Sequence, residues 1–219
     1  MTPPTHPTPQ PSPPAPSPPP TAPTAPAAPA AHRTGFAVKP VLTGERVVLR
    51  PFTAADTEAM AAIIEDPEVR RFTGNPSGEL TMERLRAWYG SRGEQPDRLD
   101  LAVTDRATGE LVGESVLFDW HEADRSCLFR ILIGPRGRGR CLGTETVRLT
   151  LAHAFERLGL NRVELGVHAG NHRARRVYEK VGFVTEGVRR EAWLKGGEAV
   201  DEMVMAVLAR EWAEHRGRP

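Results

Sequence analysis

Residues 131–145, ILIGPRGRGRCLGTE, decide the fold when read together with residues 171–183, NHRARRVYEKVGF. In the first stretch an apolar run, Ile131-Leu132-Ile133, meets a Gly/Arg-rich turn and then a segment with helical spacing. A strand feeding a helix through such a turn aims free backbone N–H groups and the positive end of the helix dipole at one point, which suits an anion. Arg136, Arg138 and Arg140 either add charge for a phosphate or are solvated arginines on a flexible turn. The turn is not a P-loop, since no Gly-Lys-Ser/Thr follows, and its glycines are wrongly spaced for a dinucleotide fingerprint. In the second stretch Asn171 stands at a capping position. Ala174, Val177, Tyr178 and Val181 share one helix face at spacings of 3, 4 and 7. Spacing alone leaves Tyr178 as either core or functional, and Arg173, Arg175 and Arg176 as a solvated face.

Between the two stretches, Val147, Leu151, Ala154, Phe155 and Leu158 mark one face of a helix that Gly159 closes, and residues 162–167 read as a strand. Upstream, three strand-like runs (around residues 99–104, 111–120 and 126–133) predict an antiparallel meander. Before them come a strand at residues 46–50 and a helix over 53–65, with Thr53 as its cap and Asp66-Pro67 as its stop. A Gly/Pro/Asn/Ser loop at 72–80 leads to a helix over 81–91, with Met82, Leu85, Trp88 and Tyr89 on one side. Downstream, a strand from Gly182-Phe183, a turn at Lys195-Gly196-Gly197, a strand at 200–208 and a short helix around 211–215 complete the pattern.

The remaining information is compositional. Of 21 prolines, 15 fall within residues 1–40, and the first 30 residues contain no Asp, Glu, Lys, Arg, Gly, Phe, Trp or Tyr. Such a stretch has little to bury against the entropy of ordering, so residues 1–36 are expected to be a disordered, polyproline-leaning tail. Residues 37–214 are then one domain with enough chain for a core, and 215–219 a short C-terminal tail. The tail lacks the basic start and apolar run of a secretory signal, and no apolar stretch reaches the roughly 18 residues of a membrane span. With 29 basic and 28 acidic residues, charge does not point to nucleic acid. Cys127 and Cys141 alone support neither a disulfide framework nor a metal site. A cytoplasmic, membrane-free monomer or homodimer is expected.

In this order, with a strand between them, the two stretches resemble the GCN5-related N-acetyltransferase (GNAT) superfamily, in particular the branch with the ribosomal-protein N-terminal acetyltransferases. The resemblance runs from about Val41 to Leu208. The family's Gln/Arg-x-x-Gly-x-Gly/Ala signature lies on Arg138-Gly139-Arg140-Cys141-Leu142-Gly143, with Cys141 where the family usually has Gly. The Asn-x-x-Ala-x-x-x-Tyr-x-x-x-Gly-Phe signature is complete at Asn171, Ala174, Tyr178, Gly182 and Phe183. The resemblance implies an α/β fold with a mixed, largely antiparallel central sheet flanked by helices, its strands splayed around an acetyl-CoA site. It also implies acetyl transfer from acetyl-CoA to a primary amine, a protein N-terminus or a small molecule, without a metal. Residues 129–133, and among them Ile131, Leu132 and Ile133, would pair with the pantetheine arm. The amides of Arg138, Gly139, Arg140, Cys141, Leu142 and Gly143, continuing to Thr144, would hold the pyrophosphate. Asn171 would cap the following helix, and Arg173 or Arg176 would reach the 3′-phosphate.

The chemistry then needs an oxyanion donor, expected near Leu132, and an acid for the leaving thiolate, for which the motif position nominates Tyr178. Glu114, a carboxylate on an apolar strand, is either a general base or the partner of an arginine such as Arg130. His168 is a second candidate base or a polar strand end. Asp119, His121 and Glu122 are expected to meet a cationic acceptor, with Trp120 and Trp193 as possible walls. Cys141 is strained if its φ is positive; a helix start favours the milder helical value. Two other readings stay open: a non-catalytic CoA-binding module on the same fold, and a Pro-rich tail that serves as a ligand for an aromatic groove.

Overall fold

The alternating and fully apolar runs build eight strands, and the 3.6-residue periodicities build six helices, among residues 35–73 and 81–216, which the computed structural model describes. Residues 1–34, 217–219 and most of the predicted 72–80 loop lie outside the described residues. In chain order the elements are β1 (Leu42–Thr43), β2 (Val47–Pro51), α1 (Thr57–Glu65), α2 (Pro67–Phe72), α3 (Met82–Ser91), β3 (Arg98–Asp105), β4 (Leu111–His121) and β5 (Ser126–Ile133). They continue with α4 (Leu142–Ala152), β6 (Arg162–His168), α5 (His172–Lys180), β7 (Val184–Lys195), β8 (Glu198–Leu208) and α6 (Ala209–His215). All strands form one sheet in the order β1-β2-β3-β4-β5-β6-β8-β7. The β3–β4–β5 meander is antiparallel, as the alternation predicts.

Each face of the sheet is buried, which is why β3 reads as a nearly continuous buried strand. On one face Leu99, Leu101, Val103, Leu117 and Phe129 pack against Val147, Leu151 and Ala154 of the α4 segment and Tyr178 of α5. On the other, Ala102 and Leu132 lie beneath Met60 and Ile63 of α1, Val69 of α2, and Leu85 and Tyr89 of α3. Glu114 sits opposite Ala102 and Leu132 in the ladder, so it shares this second face. Each large apolar side chain taken fully out of water here contributes about 1.5–3 kcal/mol.

Three boundaries differ from the sequence reading. Asp66-Pro67 ends α1 but also starts α2, because the Asp66 carboxylate accepts the Val69 N–H (3.0 Å) and Pro67 occupies the first helical position, which needs no N–H. Phe36, assigned to the tail on composition, is 1 % exposed, its ring meeting Trp120 edge-on at 5.0 Å. His215, placed in the C-terminal tail, is the last residue of α6. On α3 only Leu85 and Tyr89 of the expected face are buried, while Met82 and Trp88 are exposed. Among the described residues no helix is long and apolar enough to cross a membrane.

Burial sets the alkaline stability. Cys127, Tyr89 and Tyr178 are all pushed well above their ordinary values, each by loss of solvent first, and for Tyr89 also by the Glu114 charge. The native state therefore keeps protons that the unfolded chain gives up. Its stability is full below the unfolded thiol value and falls as pH rises past it. Lys39 and Lys195 shift in the opposing sense, but they are only partly buried. The urea midpoint should decline from about pH 8.5, with about 2 kcal/mol lost by pH 10. A midpoint flat to pH 10 would contradict this burial.

Candidate active site

β5 loses one neighbour halfway along. Among the described strands β5 and β6 are the one parallel pair, and they pair only over Ser126–Leu128 against Arg162–Glu164. β4 stays paired with β5 to Ile133. From Phe129 onward the outer edge of β5 thus faces an opening. The Gly134 N–H donates to the Val112 carbonyl on β4 (2.8 Å). Strand alternation then turns Leu132 toward β4 as well, and the amides of Ile131 and Ile133 toward the opening. The donors facing the gap near Leu132 are therefore those of its two neighbours.

The opening widens into a cleft of about 1370 Å³ between β5, the turn before α4, and α5 on one side and α1–α3 on the other. Ile131, Leu132, Ile133, Arg138, Gly139, Cys141, Gly143, Thr144, Asn171 and Arg173 of the predicted cofactor residues line it. Three others do not. Leu142 is 2 % exposed within the core, Arg140 pairs with Asp105 (2.5 Å), and Arg176 is exposed on the far side of α5. Between the two arginine candidates for a 3′-phosphate, only Arg173 lines the cleft.

None of the three loop arginines is free for phosphate in this state. Arg136 pairs with Glu110 (2.5 Å), Arg140 with Asp105, and Arg138 with both Asp66 (2.5 Å) and Glu68 (2.9 Å). Glu68 also takes Arg173 (2.5 Å). Nothing in the sequence marks Asp66 and Glu68 for this role, since they lie 70 or more residues away from Arg138. The groups of the turn left unmatched are those of its backbone. Gly139 and Cys141 have φ of 71° and 62°, and such alternating left-handed residues turn successive N–H groups into one concave surface at the start of α4.

Cys141 therefore takes the strained value and not the helical one. It is the residue before α4, exposed, with a Cβ in a conformation that costs a non-glycine residue about 1 kcal/mol. Cys141→Gly should raise stability by up to about 1 kcal/mol and leave the loop geometry intact. A thermal midpoint at or below that of the parent chain would show that the strain is relieved elsewhere.

On α5 the Asn171 carboxamide accepts the Ala174 N–H (3.1 Å), which caps the helix and fixes its start. At the other end Gly182 (φ 103°) lets the chain reverse, and the Phe183 N–H donates to the Tyr178 carbonyl (3.0 Å). The returning Phe183 ring stacks on Phe129 of β5 (6.3 Å), and Tyr178 meets both rings, at 6.4 and 5.6 Å. The motif's Gly-Phe pair thus pins Tyr178 to the splayed strand. Tyr178 is 6 % exposed, lines the cleft, and burial holds its phenol protonated.

Glu114 lies on the cleft floor at 4 % exposure. Of its two predicted roles the structure shows the ion pair: it accepts from Arg130 (2.8 Å), with the Tyr89 hydroxyl at 3.5 Å. His168 also lines the cleft, between Phe72 (5.2 Å) and Trp193 (5.7 Å). Burial, then the charges of Lys195 and Arg71, lowers its pKa. Its Nδ1 accepts the Gly170 N–H (3.0 Å), so the neutral ring carries its proton on Nε2 and has no spare lone pair for a substrate. Trp193 lines the cleft, but Trp120, Asp119 and Glu122 surround a separate hollow of about 640 Å³ beside Phe36. Among the described residues no cluster of three or more His, Cys, Asp or Glu side chains stands ready for a metal.

A splayed β5/β6 pair, an amide-lined turn and a buried tyrosine on the facing helix converge on one cleft. The family model for the acetyltransferase (GNAT) domain matches residues 46–184. This chain belongs to the GNAT acetyltransferase family. It is an acetyl-CoA-dependent acyltransferase, with acetyl-CoA as its co-substrate. Among relatives of this GNAT chain, the "Putative ribosomal N-acetyltransferase YdaF" of Bacillus subtilis (strain 168) is 27 % identical over 175 residues, 77 % of this chain and 94 % of the relative. The spermidine N(1)-acetyltransferase of Escherichia coli (strain K12) is 25 % identical over 171 residues, 78 % and 90 % of the two chains. A spermidine N-acetyltransferase from Vibrio cholerae, solved in complex with CoA and spermine, shares the fold with a TM-score of 0.70 at 22 % identity, over 78 % and 99 % of the chains.

Proposed function

We propose that this chain transfers the acetyl group of acetyl-CoA directly to a primary amine in the 1370 Å³ cleft, with Tyr178 as general acid. The observation that carries this reading is the position of Tyr178, a phenol held protonated by burial, on the helix facing the exposed edge of β5. The pantetheine arm lies along residues 129–133 like a further strand. The pyrophosphate sits on the amides between Arg138 and Thr144, and Arg173 exchanges Glu68 for the 3′-phosphate. The gap-facing amides of Ile131 and Ile133 stabilise the tetrahedral oxyanion, and Tyr178 protonates the departing thiolate. Glu114, held by Arg130, shapes the acceptor end of the cleft, and the proton of the attacking amine leaves to water there.

No residue forms a covalent intermediate, so both substrates must be present together. The test is free-thiol release from acetyl-CoA across a panel of primary amines. The reading expects release that depends on at least one amine and a matching acetylated product. Tight acetyl-CoA binding with no thiol released by any amine would leave the chain a binding module.

A further inference from the structure

The charges on the acceptor face do not balance. Beneath α3 three guanidiniums, Arg92, Arg98 and Arg130, stand among two carboxylates, Asp100 and Glu114. Lys39 and Asp97 at the outer end add one charge of each sign. Arg98 is matched by Asp100 (2.6 Å) and Arg130 by Glu114 (2.8 Å). Arg92 is 4 % exposed and has no carboxylate partner among the described residues. It donates to the Trp88 carbonyl (3.0 Å) and lies over the Trp88 ring at 3.6 Å. Arg92 is thus a buried cation in excess of the two carboxylates around it, and Arg130 shares those carboxylates with two other guanidiniums.

Arg130 is the one member of this arginine trio that reaches the cleft. Its side chain is 48 % exposed there, and its recorded bond to Glu114 uses only one of five N–H donors. It is adjacent in sequence to Ile131, whose amide faces the gap where the acetyl carbonyl would sit, and it shares the sheet face of Leu132. Around the cleft, Glu65, Glu68 and Glu114 stand against Arg70, Arg84, Arg130, Arg138 and Arg173, so its lining carries no excess of carboxylates.

We infer that the acceptor is a small amino acid, its carboxylate held by Arg130 while its amine faces the thioester, with Glu114 as the residue that positions Arg130. This rests on the acetyltransferase reading above. A polyamine brings further cations and no carboxylate for Arg130. A peptide N-terminus carries a neutral amide where Arg130 asks for a carboxylate.

The experiment compares free amino acids with their carboxamides, with spermidine and with short peptides, by thiol release from the full chain. The kcat/KM of an amino acid should exceed that of its carboxamide on the order of 10- to 100-fold, the range of a charge-assisted hydrogen bond. Arg130→Met should bring that ratio close to one and Arg130→Lys should leave it intermediate, whatever either change does to turnover as a whole. Equal use of acid and amide by the parent chain, or preference for spermidine or peptides, overturns the inference and leaves acetyl transfer standing. No thiol release with any amine overturns the acetyltransferase reading itself. The acid-to-amide ratio of the parent chain needs no variant, so an unstable Arg130→Met protein does not blunt the test.

Discussion

Tyr178→Phe should lower kcat by about 100- to 10,000-fold, the usual contribution of a positioned general acid, while the Kd for acetyl-CoA stays within about twofold. The substitution removes one hydroxyl. The ring keeps its edge contacts with Phe129 and Phe183, so α5 stays docked on β5. No hydrogen bond to another described residue is lost with the hydroxyl, and burial keeps the phenol protonated across the working pH range. The folded state should be as stable as the parent at neutral pH, since the hydroxyl borders the cleft and its loss breaks no such bond. The alkaline loss of stability should shrink, because one titrating group has gone. An unchanged kcat would remove Tyr178 from the acid role and pass the thiolate's proton to water.

Gly113→Ala should be the most damaging single methyl in the domain. A Cβ at Gly113 would lie 2.0 Å from the Leu132 carbonyl oxygen and 3.0 Å from its carbon, and these are backbone atoms that no rotamer change can move. The peptide joining Leu132 to Ile133 has to rotate or β4 and β5 have to separate. That same peptide carries the Ile133 N–H, one of the two amides facing the gap. We expect a stability loss of about 3 kcal/mol from overpacking and a fall in kcat on the order of 100-fold from displacement of an oxyanion donor. Urea midpoints and turnover measured on the folded fraction at low temperature separate the two effects. A variant with parental stability and turnover would show that the close approach of β4 to Leu132 has no consequence.

The balance between these residues and the rest of the cleft also explains which parts of the site sequence reasoning reached. The Asn171–Phe183 stretch was legible because each motif residue does a local job: a cap at Asn171, a reversal at Gly182 and a ring on Phe129 from Phe183. The strand–turn–helix of residues 131–145 was legible for the same reason, since a Gly-rich turn between an apolar strand and a helix has few other shapes. Side-chain electrostatics was not legible. The three loop arginines read as either phosphate ligands or solvated side chains, yet each is matched to a carboxylate from another part of the chain, at Glu110, Asp66, Glu68 or Asp105. Cys141 looked like a mild departure from Gly, yet its φ is positive because the turn's N–H groups must converge.

By itself the sequence determined the order and type of most elements, the family and the co-substrate, and it nominated the tyrosine. All of these depend on spacing along the chain, where local sterics and periodic burial act over at most a few turns. Tertiary structure alone decided the length of the β5/β6 opening and the turn of Ile131 and Ile133 toward it. It also moved Trp120 and its acidic neighbours out of the cleft and joined Arg130 to Glu114 on its floor. Each of these depends on which distant strand or helix arrives alongside. Charge pairing and backbone direction are properties of that arrival, and no residue carries them alone.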